Sequence, residues 1–205
     1  MSTTEERIIK TAIKEFAEHG FAGARIDRIA KNAKVNKAMI YYHFKSKEKL
    51  YESILSFHTE GIQNFVKSII PDGKADINQI YSLISHFIDY LNNLGPEFVK
   101  IMLGEFASGG KYIRKFIFPN LIAPLSSLLI ENINREIERK NIKSVHPFYT
   151  FQQIIGSVIF FNIMKVALKG TELHDILYSG NYVDEFKNNL ISIIKHGIEI
   201  NGGEQ

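Results

Sequence analysis

Apolar side chains recur every three or four residues along almost the whole sequence, which is the spacing of one face of an α-helix. Ile9, Ala12, Ile13 and Phe16 show this spacing in the first segment. A sustained alternation of polar and apolar residues, the pattern of a half-buried strand, is not found. The sequence therefore predicts an all-α protein, and its Gly, Pro and polar breaks divide it into about nine helices.

Positive charge is concentrated near the start of the chain. Residues 1–49 hold 11 Lys/Arg and 6 Asp/Glu, whereas residues 50–205 hold 14 Lys/Arg and 16 Asp/Glu. A basic segment on a slightly acidic body is typical of a module that faces nucleic acid. A solvated basic surface without a specific partner gives the same pattern, so charge alone leaves both interpretations open.

Two short helices joined by a tight turn form the most informative local pattern. The first is predicted near 26–32, and the second spans 37–43 with Asn36 as its N-cap. Ile40 and Phe44 give the second helix a buried face. Its exposed face then carries Lys37, Tyr41, Tyr42 and His43. One α-helix fits the major groove of DNA, and lysine and tyrosine side chains can bind phosphate, so the pattern predicts a helix-turn-helix that binds DNA.

The stretch from Ile8 to Leu50 resembles the DNA-binding domain of the tetracycline-repressor (TetR) family. The residues that carry the resemblance are Ala12, Phe16, Gly20-Phe21, Ile29-Ala30, Ala33, Val35, Ile40-Tyr41-Tyr42-His43-Phe44, Ser46-Lys47-Glu48 and Leu50. The resemblance implies a dimeric regulator, usually a repressor, whose C-terminal domain binds a small effector. It assigns DNA contacts to Lys37, Tyr41, Tyr42, His43 and Lys47. Packing of Tyr41 against the following helix is the alternative for that residue.

Two positions depart from the family pattern. Lys34 stands in the turn where the family usually has glycine, and a left-handed conformation there would cost about 1–2 kcal/mol. Either an extra phosphate contact offsets this strain or the turn differs locally. Ala24-Arg25 replaces a threonine pair that often caps the second helix. Arg25 cannot cap in the same way, but its charge can still reach phosphate, and we include it among the predicted DNA contacts.

The remaining residues, 50–205, are predicted to form a larger helical domain for effector binding and dimerisation, following a DNA-binding domain at 1–49. The resemblance implies an apolar effector pocket for a hydrophobic or aromatic ligand, although the aromatic residues could equally form an ordinary core. The pocket residues predicted on this basis are Phe57, Gly61, Phe87, Phe106 and Phe116.

The last two long helices are apolar on more than one face. A helix that is apolar nearly all round needs cover on several sides, which a two-fold four-helix interface would provide. The residues predicted at this interface are Ile155, Val158, Ile159, Ile163, Leu190 and Ile194. A buried core within one protomer is the alternative.

The sequence also limits the other functions to consider. It contains no Ser/His/Asp arrangement, phosphate-binding glycine loop or HExxH motif, so we expect no enzyme, no cofactor and no metal site. The absence of cysteine suits the cytoplasm. The longest apolar stretch, 154–161, is too short to span a bilayer, so we expect no membrane partner. A ligand-responsive regulator that binds a palindromic operator is the leading hypothesis, with a non-specific architectural DNA-binding protein as the alternative.

Overall fold

A computed structural model of the protein describes residues 3–200, and these residues are helical almost throughout. The α-helices in chain order are α1 Thr3–Gly23, α2 Ile26–Ala33, α3 Lys37–Phe44, α4 Lys47–Ile69, α5 Ile77–Asn93, α6 Pro96–Ala107, α7 Ala123–Glu138, α8 Pro147–Ala167, α9 Glu172–Leu177 and α10 Tyr182–Ile198. A π-helix, Ile113–Ile122, precedes α7. Over residues 3–200 the β-pairing is limited to an isolated antiparallel bridge between Ile142 and Glu199. The all-α prediction is confirmed.

Three details of the helices stand out. Gly20 has a non-helical conformation with φ 63°, so the regular first helix ends there, and a short helical turn extends α1 to Gly23. Pro119 lies inside the π-helix that leads into α7. Proline has no N–H to donate, which fits the altered hydrogen bonding there. The short helix α9 was not predicted, because six residues give too little periodicity to recognise.

The chain divides into two compact units that do not follow the predicted boundary at residue 49. The first unit comprises Met1–Gln63 and Leu94–Ile122, and the second comprises Asn64–Asn93 and Ala123–Gln205. The first unit extends beyond the helix-turn-helix because α6 packs against α1. Sequence order does not reveal this grouping, since α6 lies more than seventy residues after α1 along the chain.

The core of the first unit is formed by α1, α2, α3, the start of α4, α6 and the π-helix. Ile8, Ala12, Phe16, Ile40 and Leu50 are all fully or almost fully buried. A cluster of four rings continues this core, with Phe16 against Tyr51 and Phe21 against Tyr112 at centroid distances of 4.7 and 5.0 Å. The buried carboxylate of Glu105 accepts hydrogen bonds from the Tyr51 hydroxyl at 2.9 Å and from the Tyr112 backbone N–H at 3.1 Å.

The second unit packs α5, α7, α8 and α10 around a separate apolar core. The buried stripe of α5 has helical spacing and consists of Ile80, Leu83, Ile84, Phe87 and Ile88. Asn132 of α7 is fully buried and fixes the preceding loop. Its Oδ1 accepts from the Ala75 N–H at 2.7 Å, and its Nδ2 donates to the Gly73 carbonyl at 3.1 Å.

Two helical stretches, Ile113–Glu138 and Pro147–Ala167, are long and apolar enough, by length and composition alone, to cross a membrane. The sequence reasoning considered only the stretch 154–161, which Gly156 and Ser157 interrupt, so its judgement of length was too narrow. Most of the second stretch is not buried within the protein. Helices at the interfaces of globular proteins can be equally long and apolar. The exposed part of this helix is therefore an apolar surface of the kind that another protein surface buries.

Candidate nucleic-acid interface and ligand cavity

The helix-turn-helix has well-defined ends at its turn. At the end of α2, the Val35 N–H donates to the Ala30 carbonyl at 3.0 Å and the Lys34 N–H donates to the Lys31 carbonyl at 3.2 Å. This pair of bonds is a Schellman motif. Asn36 then caps α3, because its Oδ1 accepts from the Ala38 N–H at 2.9 Å. The predicted cap is confirmed, and α3 has a fixed starting point.

The two faces of α3 differ sharply in exposure. Ile40 is fully buried, whereas Tyr41 and Tyr42 are 42% and 70% exposed. Met39 is also exposed, and sequence reasoning did not include it among the contact residues. Its apolar side chain lies on the same short helix as the tyrosines and could contact a thymine methyl group. The buried face fixes the helix, so the tyrosine pair is presented outward.

The predicted contact residue Lys37 is already engaged in an ion pair. Its Nζ lies 2.8 Å from Oδ1 of Asp27 on α2, and about half of its side chain is exposed. The hydrogen bond with Asp27 raises the pKa of Lys37, which therefore stays charged. Phosphate would have to compete with Asp27 for this lysine.

His43 was predicted as a DNA contact, and its surroundings favour a structural role instead. Its Nδ1–H donates to the Glu5 carboxylate on α1 at 3.1 Å, and only 15% of its side chain is exposed. This bond ties the last turn of α3 to the first turn of α1. We therefore correct the assignment: His43 orients α3 and has little free surface to offer to DNA.

Arg25 and Lys47 lie on either side of a buried carboxylate, Glu15, that sequence reasoning missed. The Arg25 backbone N–H donates to Glu15 Oε1 at 2.9 Å, while the Arg25 side chain remains exposed. Arg28 binds the same oxygen through Nε at 2.8 Å. Burial raises the pKa of Glu15, but the bonds from Arg28 and the Arg25 backbone outweigh it, so the pKa lies below its ordinary value. Glu15 thus replaces the missing cap at the start of α2.

Lys47 is less available than predicted. Its Nζ donates to the Ala22 carbonyl at 3.2 Å and lies 4.9 Å from the centroid of the Phe21 ring. Burial lowers the pKa of Lys47. The neighbouring Ser46 caps α4, since its Oγ accepts from the Lys49 N–H at 3.0 Å. Lys47 therefore helps to hold the start of α4 against the end of α1.

A family model described as bacterial regulatory proteins, tetR family, matches residues 8–54. Residues 8–54 belong to the tetR family. The match includes α2, α3 and the turn between them. The matched residues therefore include the exposed tyrosine pair of α3.

Relatives are similar to the chain over about half of its length, and solved structures share its fold over nearly all of it. The chain is 39% identical over 113 residues to the HTH-type transcriptional repressor NicS of Pseudomonas putida, which is 55% of this chain and 52% of NicS. It spans about half the length of the curated relatives it matches. The ketosteroid transcriptional regulator KstR2 of Mycobacterium tuberculosis has the same fold at a TM-score of 0.77 and 15% identity, covering 98% of this chain and 97% of KstR2. A protein of Saccharomonospora viridis solved in complex with choline matches at a TM-score of 0.71 and 17% identity, covering 98% of this chain and all of that chain.

The second unit contains a small, partly open pocket. Its cavity volume is about 10 Å³, which is about the space of one water molecule. The lining residues come from α4, α5, α7 and α8, and all have apolar side chains: Val66, Leu83, Ile84, Phe87, Leu125, Leu129, Ile154, Ile155 and Val158. The lining offers no polar partner to a ligand, and the space would have to widen to admit a molecule larger than water.

The predicted effector residues are not brought together at this cavity. Phe87 lines it, but Phe57, Gly61, Phe106 and Phe116 belong to the other compact unit. Phe57 and Phe106 are 54% and 64% exposed, so they do not line an enclosed space. Aromatic composition alone does not reveal which side of a helix faces the core.

The predicted dimer residues divide into two groups. Val158, Leu190 and Ile194 are buried within the protomer, so we no longer assign them to an interface. Ile155, Ile159 and Ile163 keep some exposure. The structure adds Phe160 on α8 and Ile193 on α10, both about 60% exposed. We call Ile159, Phe160 and Ile193 the exposed apolar face of the second unit.

Proposed function

We propose that this chain is a homodimeric DNA-binding transcriptional regulator, acting in the cytoplasm as a repressor, whose affinity for a palindromic operator falls when a small apolar effector binds. The observation that carries the proposal is the outward tyrosine pair of α3, on a helix whose opposite face is held by fully buried Ile40. The tetR-family match and the repressor name of NicS support the regulatory role over an enzymatic one.

The homodimer follows from the exposed apolar face. Ile159, Phe160 and Ile193 are large apolar side chains that water solvates poorly, and burial against a second copy would remove them from solvent. A bilayer is a poor alternative, because α8 also carries Gln152, Gln153 and Lys165. Such polar groups are costly within a membrane. Two copies would present two α3 helices to sites about 34–36 Å apart on DNA.

The proposed effector class rests on the apolar lining of the pocket in the second unit, which would have to widen to admit a ligand. Its lining is entirely apolar, which favours a hydrophobic ligand. Choline, bound by the Saccharomonospora viridis protein, carries a charge that this lining would not pair, so we expect a different class of ligand here. Effector binding changes operator affinity only to the extent that the ligand favours one conformation over another.

The test is a titration of the protein with palindromic duplexes selected from a random library and with random-sequence duplex, each at two salt concentrations. Specific binding should be much tighter for the selected duplex and should weaken steeply with salt. Tyr42→Ala and Lys37→Ala should weaken binding, while Tyr149→Ala, at another exposed tyrosine that lies in the second unit, should not. Equal affinity for both duplexes would instead favour an architectural protein, and wild-type affinity in Tyr42→Ala would contradict the assigned contact.

A further inference from the structure

Two lysines flank α3, and both have a positive φ: Lys45 directly follows the helix, whereas Lys34 is the C-cap of α2, three residues before α3 begins. Lys34 has φ 55° and ψ 46°, and Lys45 has φ 64° and ψ −41°. Glycine adopts such conformations freely, whereas a Cβ atom makes them strained. Strained residues persist where the surrounding structure enforces them, and they are concentrated at functional sites. The two residues that flank one helix therefore share an unusual feature that requires an explanation.

Lys34 occupies the position of the Schellman motif that glycine usually fills. The turn has the ordinary left-handed geometry, so it has not adjusted to accommodate a side chain. Nothing in the backbone hydrogen bonding requires a lysine here. The side chain of Lys34 is exposed, and its ammonium group is free to extend away from the turn.

Lys45 is the centre of a γ-turn that ends α3. The Ser46 N–H donates to the Phe44 carbonyl at 2.7 Å across Lys45, and this turn with positive φ is rare and strained. The Lys45 Nζ donates to the Tyr42 carbonyl at 2.9 Å and lies 5.5 Å from the centroid of the Tyr42 ring. The charge of Lys45 is thereby held beside the most exposed tyrosine of the helix.

Within residues 3–200, Lys34 and Lys45 form no ion pair with a carboxylate, which is also true of Arg25, Lys31 and Lys47, whereas three other neighbouring cations are paired. Arg28 pairs with Glu15, Lys37 with Asp27 and Lys49 with Glu52. A positive charge that has no acidic partner within the protein can bind phosphate without first losing an ion pair.

The length of α3 places these charges suitably for a duplex. Eight residues make a helix about 12 Å long, which is about the width of the major groove. A helix that lies in the groove has a phosphate strand on either side, and Lys34 and Lys45 lie towards opposite ends of α3. We propose that Lys34 and Lys45 are a pair of phosphate contacts that bracket α3, one on each strand. The inference rests on the proposed DNA-binding function and adds two binding residues to it.

The experiment measures affinity for a random-sequence duplex of 30 base pairs by fluorescence anisotropy between 50 and 200 mM salt. Phosphate contacts are independent of sequence, so no operator is needed. In a plot of log affinity against log salt concentration, the magnitude of the slope should be smaller by about 0.9 for each bound protomer in Lys34→Gly, and likewise in Lys45→Gly. Between 50 and 200 mM salt, the factor by which affinity falls should then be about 3.5 times smaller for each lysine lost than in the wild-type protein. The melting temperature should hold or rise, because glycine relieves the strain.

Lys140 provides a matched control. It has φ 58° and ends α7 with the same pair of hydrogen bonds, but it belongs to the second unit. Lys140→Gly should leave the salt slope unchanged. Lys34→Arg should keep the wild-type slope because it retains the charge. Lys34→Gln should lower the slope as Lys34→Gly does without raising the melting temperature, which separates charge from backbone strain.

Wild-type slopes in both Lys34→Gly and Lys45→Gly, with DNA binding intact in the wild-type protein, would overturn this inference alone. Failure of the wild-type protein to bind any duplex would overturn the proposed function and this inference together. A lowered slope in Lys140→Gly would also count against the inference, because loss of a distant lysine would then have the same effect.

Discussion

The two compact units bury different kinds of polar group. The first buries Glu15, Glu52, His58, Thr59 and Glu105, whereas the second buries Asn132, Asn162 and one carboxylate, Glu136. Amides keep their charge state at every pH, but carboxylates and histidine do not. The first unit, which contains the helix-turn-helix, therefore owes its geometry to ionisable groups, and its stability should depend more strongly on pH.

The exposed side chains also differ between the units. The first presents a tyrosine pair on α3 beside uncompensated lysines, which suits a polar, anionic partner. The second presents Ile159, Phe160 and Ile193, which suit an apolar partner. The same chain thus offers two surfaces of different chemistry, and each of the following predictions tests one side of this contrast.

The largest expected effect is the acid sensitivity of the first unit through His58. Burial lowers the pKa of His58 to about 4 from an ordinary 6.5. Between these values the unfolded chain binds a proton that the folded protein does not. Stability is therefore full above about pH 6.5 and falls by about 3 kcal/mol as the pH drops towards 4. His58→Leu should flatten this part of the stability–pH profile, as measured by urea unfolding.

His196→Leu, at an exposed histidine of the second unit, is the control for that measurement. It should retain the acid sensitivity of the wild-type protein. An unchanged profile in His58→Leu would mean that the buried carboxylates, and not this histidine, dominate the response to acid.

The next effect concerns self-association through the exposed apolar face. Phe160→Asp places a charge in the proposed interface and should weaken dimerisation by about 2 kcal/mol or about 30-fold in Kd. Sedimentation velocity over a range of protein concentrations measures this shift. Phe57→Asp makes the same change at a similarly exposed phenylalanine of the first unit and should leave association unchanged. Equal weakening by both variants would remove the distinction between the two surfaces.

A smaller effect is expected from the buried carboxylate that supports α2. Glu15→Gln removes the charge that Arg28 and the Arg25 backbone share, and it should lower the free energy of unfolding by about 1–2 kcal/mol. The estimate is modest because the Arg28 side chain is more than a third exposed. Thermal unfolding followed by circular dichroism measures the loss. Glu18→Gln, at an exposed neighbour on the same helix, should have no such effect.

The smallest effect concerns the ion pair that competes with DNA. Asp27→Asn removes an exposed carboxylate from the basic surface and frees Lys37, so affinity for duplex DNA should rise by about twofold to threefold at low salt. Asp175→Asn, at an exposed carboxylate of the second unit, should leave the affinity unchanged. Weaker binding by Asp27→Asn would indicate that the pair with Asp27 holds Lys37 in its binding position.

The helix-turn-helix was largely predictable because its determinants are local. The cap Asn36, the buried Ile40 and the exposed tyrosine pair all follow from spacing within a dozen residues, and the structure confirms each of them. The roles of His43 and Lys47 were not predictable. Their partners, Glu5 and Ala22, lie 38 and 25 residues away in sequence, and no local pattern identifies such pairs.

The second unit was less predictable for a related reason. Its helices are apolar on several faces, so periodicity could not separate core from surface, and the predicted interface mixed buried Val158 with exposed Ile159. Effector residues were chosen by aromatic composition, and only Phe87 lines the cavity. Adjacent positions on a helix point about 100° apart, so neighbouring residues of the same type can have opposite environments.

By itself the sequence determined that the chain is helical, where the helix-turn-helix lies and which face of α3 carries the tyrosines, because these follow from backbone propensity and short-range periodicity. Only the tertiary structure decided which charges remain uncompensated, which aromatic residues are buried and which helices share a core. Those properties depend on contacts between residues far apart in the chain. The free energies of these contacts depend on how deeply the side chains are buried, and a short segment of sequence does not determine that burial.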